Sequence, residues 1–525
     1  MQSLTEKIRL AAVVRFNRAK DLDQVIDALQ ALRSLSSAQM PIKLWCLSVA
    51  YAAIFICGAV LSKHAVQASN YGEMDWKRAQ EEDLIKDGLP GQPEVQFKQY
   101  SGYITVNASA GRALFYWLTE ADSHSAHKKP LILWLSGGPG CSSIAFGAMK
   151  NIGPFTVLPN ASGLSIRTHA WNKVANLLFL ESPAGVGFSY TNTSSDLTTS
   201  GDNRTARDAH TFLVKWFERF PQYKGRVFYI MGDSYAGHYV PQLAKLVYEN
   251  NVKGVENPDM NLTGLLVGNG VLDNYYDIVG LIEYWWDHSL ISDTSYHALL
   301  AACDFHEANV SATCTDLIGN VFVNELGDID PYNIYAPLCL TQSQSRRLAA
   351  RRLINSPSIR HFAGYDPCLG NYAEVYFNRP DVQNALHANL TGIPYNWTRC
   401  SAVLYANWKD IEFSMIPVYK ELISAGFKIW LFSGDVDAVV PITGTRYGVQ
   451  HMNLTKQEEW FSWYLDGQVA GRCQAYKGLS LVTVRNAGHE VPYTQPGRAY
   501  VLIKSYLASD DTPLLHNEAC FWDHK

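Results

Sequence analysis

Along this chain, unbroken apolar runs that stop at glycine-rich corners alternate with stretches whose apolar residues recur every three or four positions. The first pattern predicts buried strands and the second amphipathic helices. Two β-rich runs, 100–106 and 113–118, flank Asn107-Ala108-Ser109-Ala110-Gly111, a hairpin signal. The run 131–135 ends in Ser136-Gly137-Gly138-Pro139-Gly140-Cys141-Ser142-Ser143, and the run 176–180 closes at Pro183-Ala184-Gly185-Val186-Gly187. Over 206–219, Phe212, Leu213, Trp216 and Phe217, with Phe220 following, take helical spacing and predict a core-facing helix. A strand from 227 then passes through Gly232-Asp233-Ser234-Tyr235-Ala236 into another helix-like stretch, and a strand near 262–267 closes at Gly268-Asn269-Gly270.

Beyond that point the pattern changes. Residues 272–291 are rich in Tyr and Trp, and strand signals fade until about residue 400, which predicts a largely helical cap inserted at 268–400. Within it, 343–363 carries Arg346, Arg347, Arg351, Arg352 and Arg360 without a hydrophobic period, and reads as an exposed basic loop. Alternation resumes with a helix at 411–424, strands at 428–432 and 479–484, and a last helix at 496–508. Strand followed by helix, repeated, predicts an α/β architecture with a mostly parallel sheet and helices on both faces. The expected organisation is an N-terminal extension and signal peptide (1–68), a core in two parts (69–267 and 401–525) and the cap between them.

Composition narrows the class. Of 525 residues, 47% are hydrophobic and only 18% charged, enough apolar material for a large core. The net charge of −5 and the lack of a long basic run exclude an electrostatic footprint for nucleic acid. Residues 44–61 are almost wholly apolar, with Lys43 before them and Val66-Gln67-Ala68 after, predicting cleavage of a signal peptide after Ala68 and no stable membrane association thereafter. The amphipathic segment 1–39 is unusual ahead of such a run and leaves Met40 as an alternative start. N-x-S/T acceptors begin at Asn107, Asn160, Asn192, Asn203, Asn261, Asn309, Asn389, Asn396 and Asn453. Of ten cysteines, Cys46 and Cys57 fall in the apolar run. The remaining eight lack any C-x-x-C or Cys/His spacing, an inventory for disulfides in an oxidising compartment rather than for a metal. The expected location is the secretory pathway, ending outside the cell or in a vacuole.

Chemistry concentrates at the strand ends. A serine thrust out of a tight strand-to-helix turn needs small residues two before and two after it, and Gly232 and Ala236 flank Ser234 in that way. A serine hydroxyl is a weak nucleophile that needs a base oriented by a carboxylate. The corner after 428–432 supplies Asp435 and Asp437, and the corner after 479–484 supplies Gly488-His489-Glu490. The order Ser234, Asp437, His489 is that of the α/β-hydrolases, with Asp437 favoured by the pattern D-x-x-V-P and Asp435 left to the turn. His238, four residues into the helix, points back along it and reads as packed structure. The oxyanion hole of this fold takes one backbone N–H from the residue after the nucleophile, Tyr235, and another from the glycine-rich loop, at Gly138.

Taken together, Trp134 to Ser143, Glu181-Ser182-Pro183-Ala184-Gly185-Val186-Gly187-Phe188-Ser189-Tyr190, Gly232 to Ala244 and Ala487-Gly488-His489-Glu490-Val491-Pro492 resemble the signatures of the serine carboxypeptidases, particularly the two-chain plant type, over roughly residues 80–508. The resemblance implies an acid-active exopeptidase that removes C-terminal residues through an acyl-enzyme, without metal or cofactor. It implies disulfides Cys141–Cys400, Cys303–Cys314 and Cys339–Cys368, leaves Cys473 and Cys520 to pair with each other or stay free, and puts Glu490 in the S1′ pocket. The family's substrate-carboxylate set, an Asn, a glycine N–H and two Glu sharing a proton, falls here on Ser136, Gly137, Lys150 and Asp233. With Lys150 opposite Asp233, the expectation is that either the ammonium meets the substrate carboxylate directly or the two residues neutralise each other, the alternative being a small loop shift that leaves Lys150 on the surface. Peptides are the expected substrates, with a homodimer left open. The alternative uses of the scaffold are an acyltransferase or lyase acting on small metabolites, and a binding protein with an idle triad.

Overall fold

The computed structural model describes residues 76–122, 124–254, 260–306, 311–339, 365–389, 392–393 and 395–508. The expected extension and signal peptide (1–68), the expected basic loop 343–363, Asn309 and Cys520 lie outside them. The chain divides into residues 1–79 and 80–525, and the architecture below is that of the second unit.

Its strands are β1 (Gln99–Asn107), β2 (Arg112–Thr119), β3 (Leu131–Ser136), β4 (Phe155–Val157), β5 (Leu164–Ile166), β6 (Asn176–Leu180), β7 (Phe228–Asp233), β8 (Leu262–Gly268), β9 (Lys428–Gly434), β10 (Phe461–Leu465), β11 (Gln468–Tyr476) and β12 (Leu479–Val484). Ten of them form one sheet in the order β1-β2-β6-β3-β7-β8-β9-β12-β11-β10, and β4 and β5 pair separately. The pairings from β6 through β12 are parallel, and the two ends are antiparallel hairpins. An α/β fold with a mostly parallel sheet is what the sequence predicts.

The continuous apolar runs are explained by burial on both faces. In a strand, successive side chains point to opposite sides. Thus Ile132, Trp134, Leu177, Phe179, Tyr229, Met231, Trp430 and Phe432 pack into one layer. Their neighbours Leu131, Leu133, Leu178, Leu180, Phe228, Ile230, Ile429 and Leu431 pack into the other. The helices Asp202–Arg219, Ala236–Lys253 and Ile416–Ser424 cover the second face. Residues 144–151, Leu369–Phe377 and Pro496–Ala508 cover the first. Burying each such aliphatic or aromatic side chain contributes about 1.5–3 kcal/mol.

Two clusters divide the stretch 268–400. Residues between Ile282 and Leu326 form a small core of their own that also takes in Ala438. By contrast Leu369, Ala373, Tyr376, Phe377, Val382 and Leu386 join the main core. Disulfides Cys141–Cys400, Cys303–Cys314 and Cys339–Cys368 are formed. The hairpin β10–β11 has no counterpart among the expected strands, although its turn, Asp466-Gly467 with both residues at positive φ, is a recognisable hairpin signal. Among the described residues no helix is long and apolar enough to cross a membrane.

Candidate active site

Five strand ends on the carboxyl edge of the parallel sheet carry the chemistry. At the first, β7 ends at Asp233, and Ser234 adopts φ of 63°, a left-handed conformation that non-glycine residues rarely take. Its backbone is pinned on both sides: Ser234 N donates to the Gly268 carbonyl at 2.9 Å, and its own carbonyl accepts from Gly237 N at 2.9 Å and Val271 N at 3.1 Å. A Cβ at Gly232 would lie 2.2 Å from the Leu135 carbonyl oxygen and 2.6 Å from Ala236 Cβ. The close crossing of β3 and the helix start therefore demands the small residues on either side of the serine.

The glycine-rich loop after β3 lies against this corner. A Cβ at Gly137 would come 2.3 Å from Tyr235 N and 2.9 Å from Ser234 Cβ, and Gly138 has φ of 117°, which suits glycine alone. The backbone of the loop thus sits beside the amide that follows the serine.

At the ends of β9 and β12, Asp437 and His489 meet. The Asp437 carboxylate accepts at Oδ2 from His489 Nδ1 (2.7 Å) and from Asn269 Nδ2 (2.8 Å), the latter supplied by the end of β8. Val439 N donates to Oδ1 at 2.8 Å and Val440 N to Oδ2 at 3.2 Å, so this fully buried anion is solvated by fixed donors. Asn269 in turn accepts from Gly434 N at 3.0 Å. Its contribution lay beyond sequence reasoning, and the Gly268-Asn269-Gly270 corner was the only signal for it. Asp435 instead caps the turn, accepting from Asn486 N at 2.5 Å.

His489 donates its backbone N–H to the Tyr332 carbonyl at 2.7 Å, and the Tyr332 ring stands edge-on to the imidazole at 5.1 Å. Burial pushes the imidazole toward its neutral form. The Asp437 carboxylate, helped by Asp233 and Glu490, outweighs this and raises its proton affinity above the ordinary value.

Around the serine the charged residues pair otherwise than expected. Lys150 does not face Asp233. Its ammonium bridges to Glu490 Oε2 at 2.5 Å and lies over the Tyr493 ring at 5.0 Å. The residue that meets Asp233 is Asn151, whose Nδ2 donates to Oδ2 at 2.7 Å. The physical reason is that Ile144–Asn151 is wound as a π-helix, with Ala148 N bonding to Ser143 O and Ile152 N to Gly147 O. This wider turn accommodates one more residue than an α-turn and re-aims the side chains after it. Burial pushes the Asp233 carboxyl up to about 7, against the pull of His489, Asn151 and Lys150. Ser136 is buried, and its hydroxyl accepts from Trp134 Nε1 at 3.0 Å. His238 is buried against Asp202, away from the Asp437–His489 pair. Among the described residues no cluster of side chains could hold a metal ion.

A doubly covered parallel sheet, a strained serine at the end of its third parallel strand and a buried carboxylate–histidine pair on the same edge define an α/β-hydrolase-fold serine hydrolase. A model of the serine carboxypeptidase family matches residues 90–509. The chain is 55% identical over 452 residues to serine carboxypeptidase 24 of Arabidopsis thaliana, covering 86% of this chain and 97% of that one. To serine carboxypeptidase-like 22 of the same plant it is 53% identical over 439 residues, 83% and 94% of the two chains. The crystal structure of Kex1, a prohormone-processing carboxypeptidase from Saccharomyces cerevisiae, superposes with a TM-score of 0.64 at 23% identity, over 81% of this chain and 96% of that one. The chain belongs to the serine carboxypeptidase family.

Proposed function

We propose that this protein hydrolyses the C-terminal peptide bond of its substrates, with Ser234 as nucleophile, His489 as general base and acid, and Asp437 as the group that orients and stabilises the imidazolium. The observation that carries the reading is the 2.7 Å bond between Asp437 and His489 on the same sheet edge as the strained Ser234. His489 takes the serine proton as Oγ attacks the scissile carbonyl, then returns it to the leaving amine; water repeats the sequence on the acyl-enzyme. The N–H groups of Tyr235 and Gly138 stabilise the oxyanion.

Asp233, Asn151, Ser136 and Gly137 form the reader of the free C-terminus, with the Lys150–Glu490 pair at its edge on the S1′ side. Asp233 repels a substrate carboxylate when ionised and can donate to it when protonated. Asn151 is neutral at every pH, so recognition depends on one titrating group rather than two.

The disulfides Cys141–Cys400, Cys303–Cys314 and Cys339–Cys368 support passage through an oxidising compartment. Asn160, Asn192, Asn203, Asn261, Asn396 and Asn453 are exposed, and Asn107 and Asn389 half-buried, which suits most of the nine positions to carry glycans. A cut within 343–363 would leave two chains joined by Cys339–Cys368, and reducing gels of the native protein test this.

The test of the activity is release of the C-terminal residue from blocked dipeptides by wild type and Ser234→Ala. The variant is expected to fold, keep ligand binding and lose turnover by several powers of ten. Preference for acyl-glucose esters over free-C-terminus peptides would instead assign the scaffold to acyl transfer.

A further inference from the structure

Behind the nucleophile lies a second buried carboxylate that the reaction does not touch. Asp202 opens the helix Asp202–Arg219, is fully buried, and accepts four hydrogen bonds. Its Oδ1 accepts from the Tyr235 hydroxyl at 2.8 Å and from Trp408 Nε1 at 2.9 Å. Its Oδ2 accepts from Gln242 Nε2 at 2.9 Å and lies 3.0 Å from His238 Nδ1. Burial works against this charge, and the bonds from His238, Trp408 and Gln242 more than restore it, so the carboxyl titrates below its usual range.

The placement of the donors matters more than their number. Tyr235, His238 and Gln242 stand at i, i+3 and i+7, one face of the helix that begins at the nucleophile elbow. One carboxylate therefore fixes the rotation of that helix about its own axis. Tyr235 carries the amide assigned to the oxyanion hole, and its ring is stacked on the His238 ring at 4.6 Å. The next residue but three, Tyr239, meets the Tyr235 ring edge-on at 5.3 Å, and its hydroxyl accepts from Gly140 N at 3.2 Å. Both sides of the oxyanion hole, the amide after the serine and the glycine-rich loop, are thus referenced to the same aromatic box. Apolar packing could fill this volume, but it is tolerant of small rotations, whereas hydrogen bonds converging on one buried carboxylate are directional.

We propose that Asp202 is a positioning residue for catalysis: through the Tyr235 hydroxyl and the Tyr239–Gly140 contact it holds the two halves of the oxyanion hole in register. The assignment rests on the proposed Ser234 site and deepens it.

The test uses Tyr235→Phe, which removes one bond and keeps the ring, and Asp202→Asn, which keeps an acceptor for Tyr235 and Trp408 while setting an amide against Gln242. Losing an oxyanion donor outright lowers turnover about 10²–10³-fold, so misplacing one is expected to lower kcat by about tenfold in each variant, with KM changed by less than about twofold. Affinity for a peptide boronic acid, whose tetrahedral adduct fills the oxyanion hole, should fall by the same factor as kcat/KM, while binding of a product amino acid stays level. A merely structural residue would lower thermal stability without separating these two affinities. Fluorophosphonate labelling of wild type keeps the two levels apart: absence of labelling overturns the Ser234 site itself. Labelled wild type with kcat and boronate affinity unchanged in folded Tyr235→Phe and Asp202→Asn overturns the role of Asp202 alone. Should Asp202→Asn fail to fold, Tyr235→Phe decides.

Discussion

Glu181 is a fully buried carboxyl with no cation beside it among the described residues, and its replacement by glutamine should make the protein more stable at neutral pH but not in acid. The side chain follows β6 and accepts from Phe188 N at 2.5 Å and Trp397 Nε1 at 3.2 Å, and from the Ser142 hydroxyl. Burial pushes it from 4.5 up to about 7, the three donors only moderating the rise. A raised folded-state value means that the folded protein holds the proton more tightly than the unfolded chain. Stability from this group is therefore fully present below about pH 4.5 and is lost as pH rises to about 7. A shift of this size corresponds to about 3 kcal/mol. Glutamine does not titrate, but its single oxygen can serve Phe188 or Trp397 and not both, a pH-independent loss of about 1 kcal/mol. With an unfolding entropy near 2 cal/mol/K per residue over the roughly 400 described residues, 3 kcal/mol moves the midpoint by about 3–4 °C. The assay is scanning calorimetry of wild type and Glu181→Gln at a fixed scan rate, at pH 4.5 and at pH 8. The difference in Tm between the two proteins should be about 3 °C more favourable to the variant at pH 8. An equal difference at both pH values would refute the buried, uncompensated carboxylate as the cause.

Asp233→Asn should remove the alkaline limb near pH 7 from kcat/KM for blocked dipeptides, because the ionised carboxylate no longer repels the substrate C-terminus; pH profiles of both proteins check it, and a persisting limb assigns that pKa elsewhere. Gly232→Val should abolish soluble folded protein or activity, since a branched side chain must displace the Leu135 carbonyl, as expression and circular dichroism will report. Asn269→Leu removes one donor to Asp437 and the acceptor of Gly434 N, and should lower kcat about tenfold with little change in KM in steady-state assays. Trp216→Ala empties a site walled by Phe217, Phe220 and Tyr223 and should destabilise by about 3–5 kcal/mol in urea titrations.

The order of the strand ends and the residues on them were legible because each depends on local chemistry. A buried parallel strand is a continuous apolar run, a nucleophile elbow needs Gly232 and a small residue at Ala236, and a carboxylate or imidazole at a sheet edge must sit in the few residues after its strand. The partnerships were not legible in that way. That Asn151 rather than Lys150 meets Asp233 depends on a π-turn whose hydrogen bonds leave no periodic trace in eight residues. That Asn269 supports Asp437, and that Asp202 gathers Tyr235, His238, Gln242 and Trp408, depends on sheet order and on helix rotation. These couple residues from about 30 to about 200 positions apart, a separation over which spacing along the chain carries no distance information. Propensity and pattern act between neighbours, so they place each group on its element, while hydrogen-bond partners and proton affinities arise only when separate elements exclude water between them.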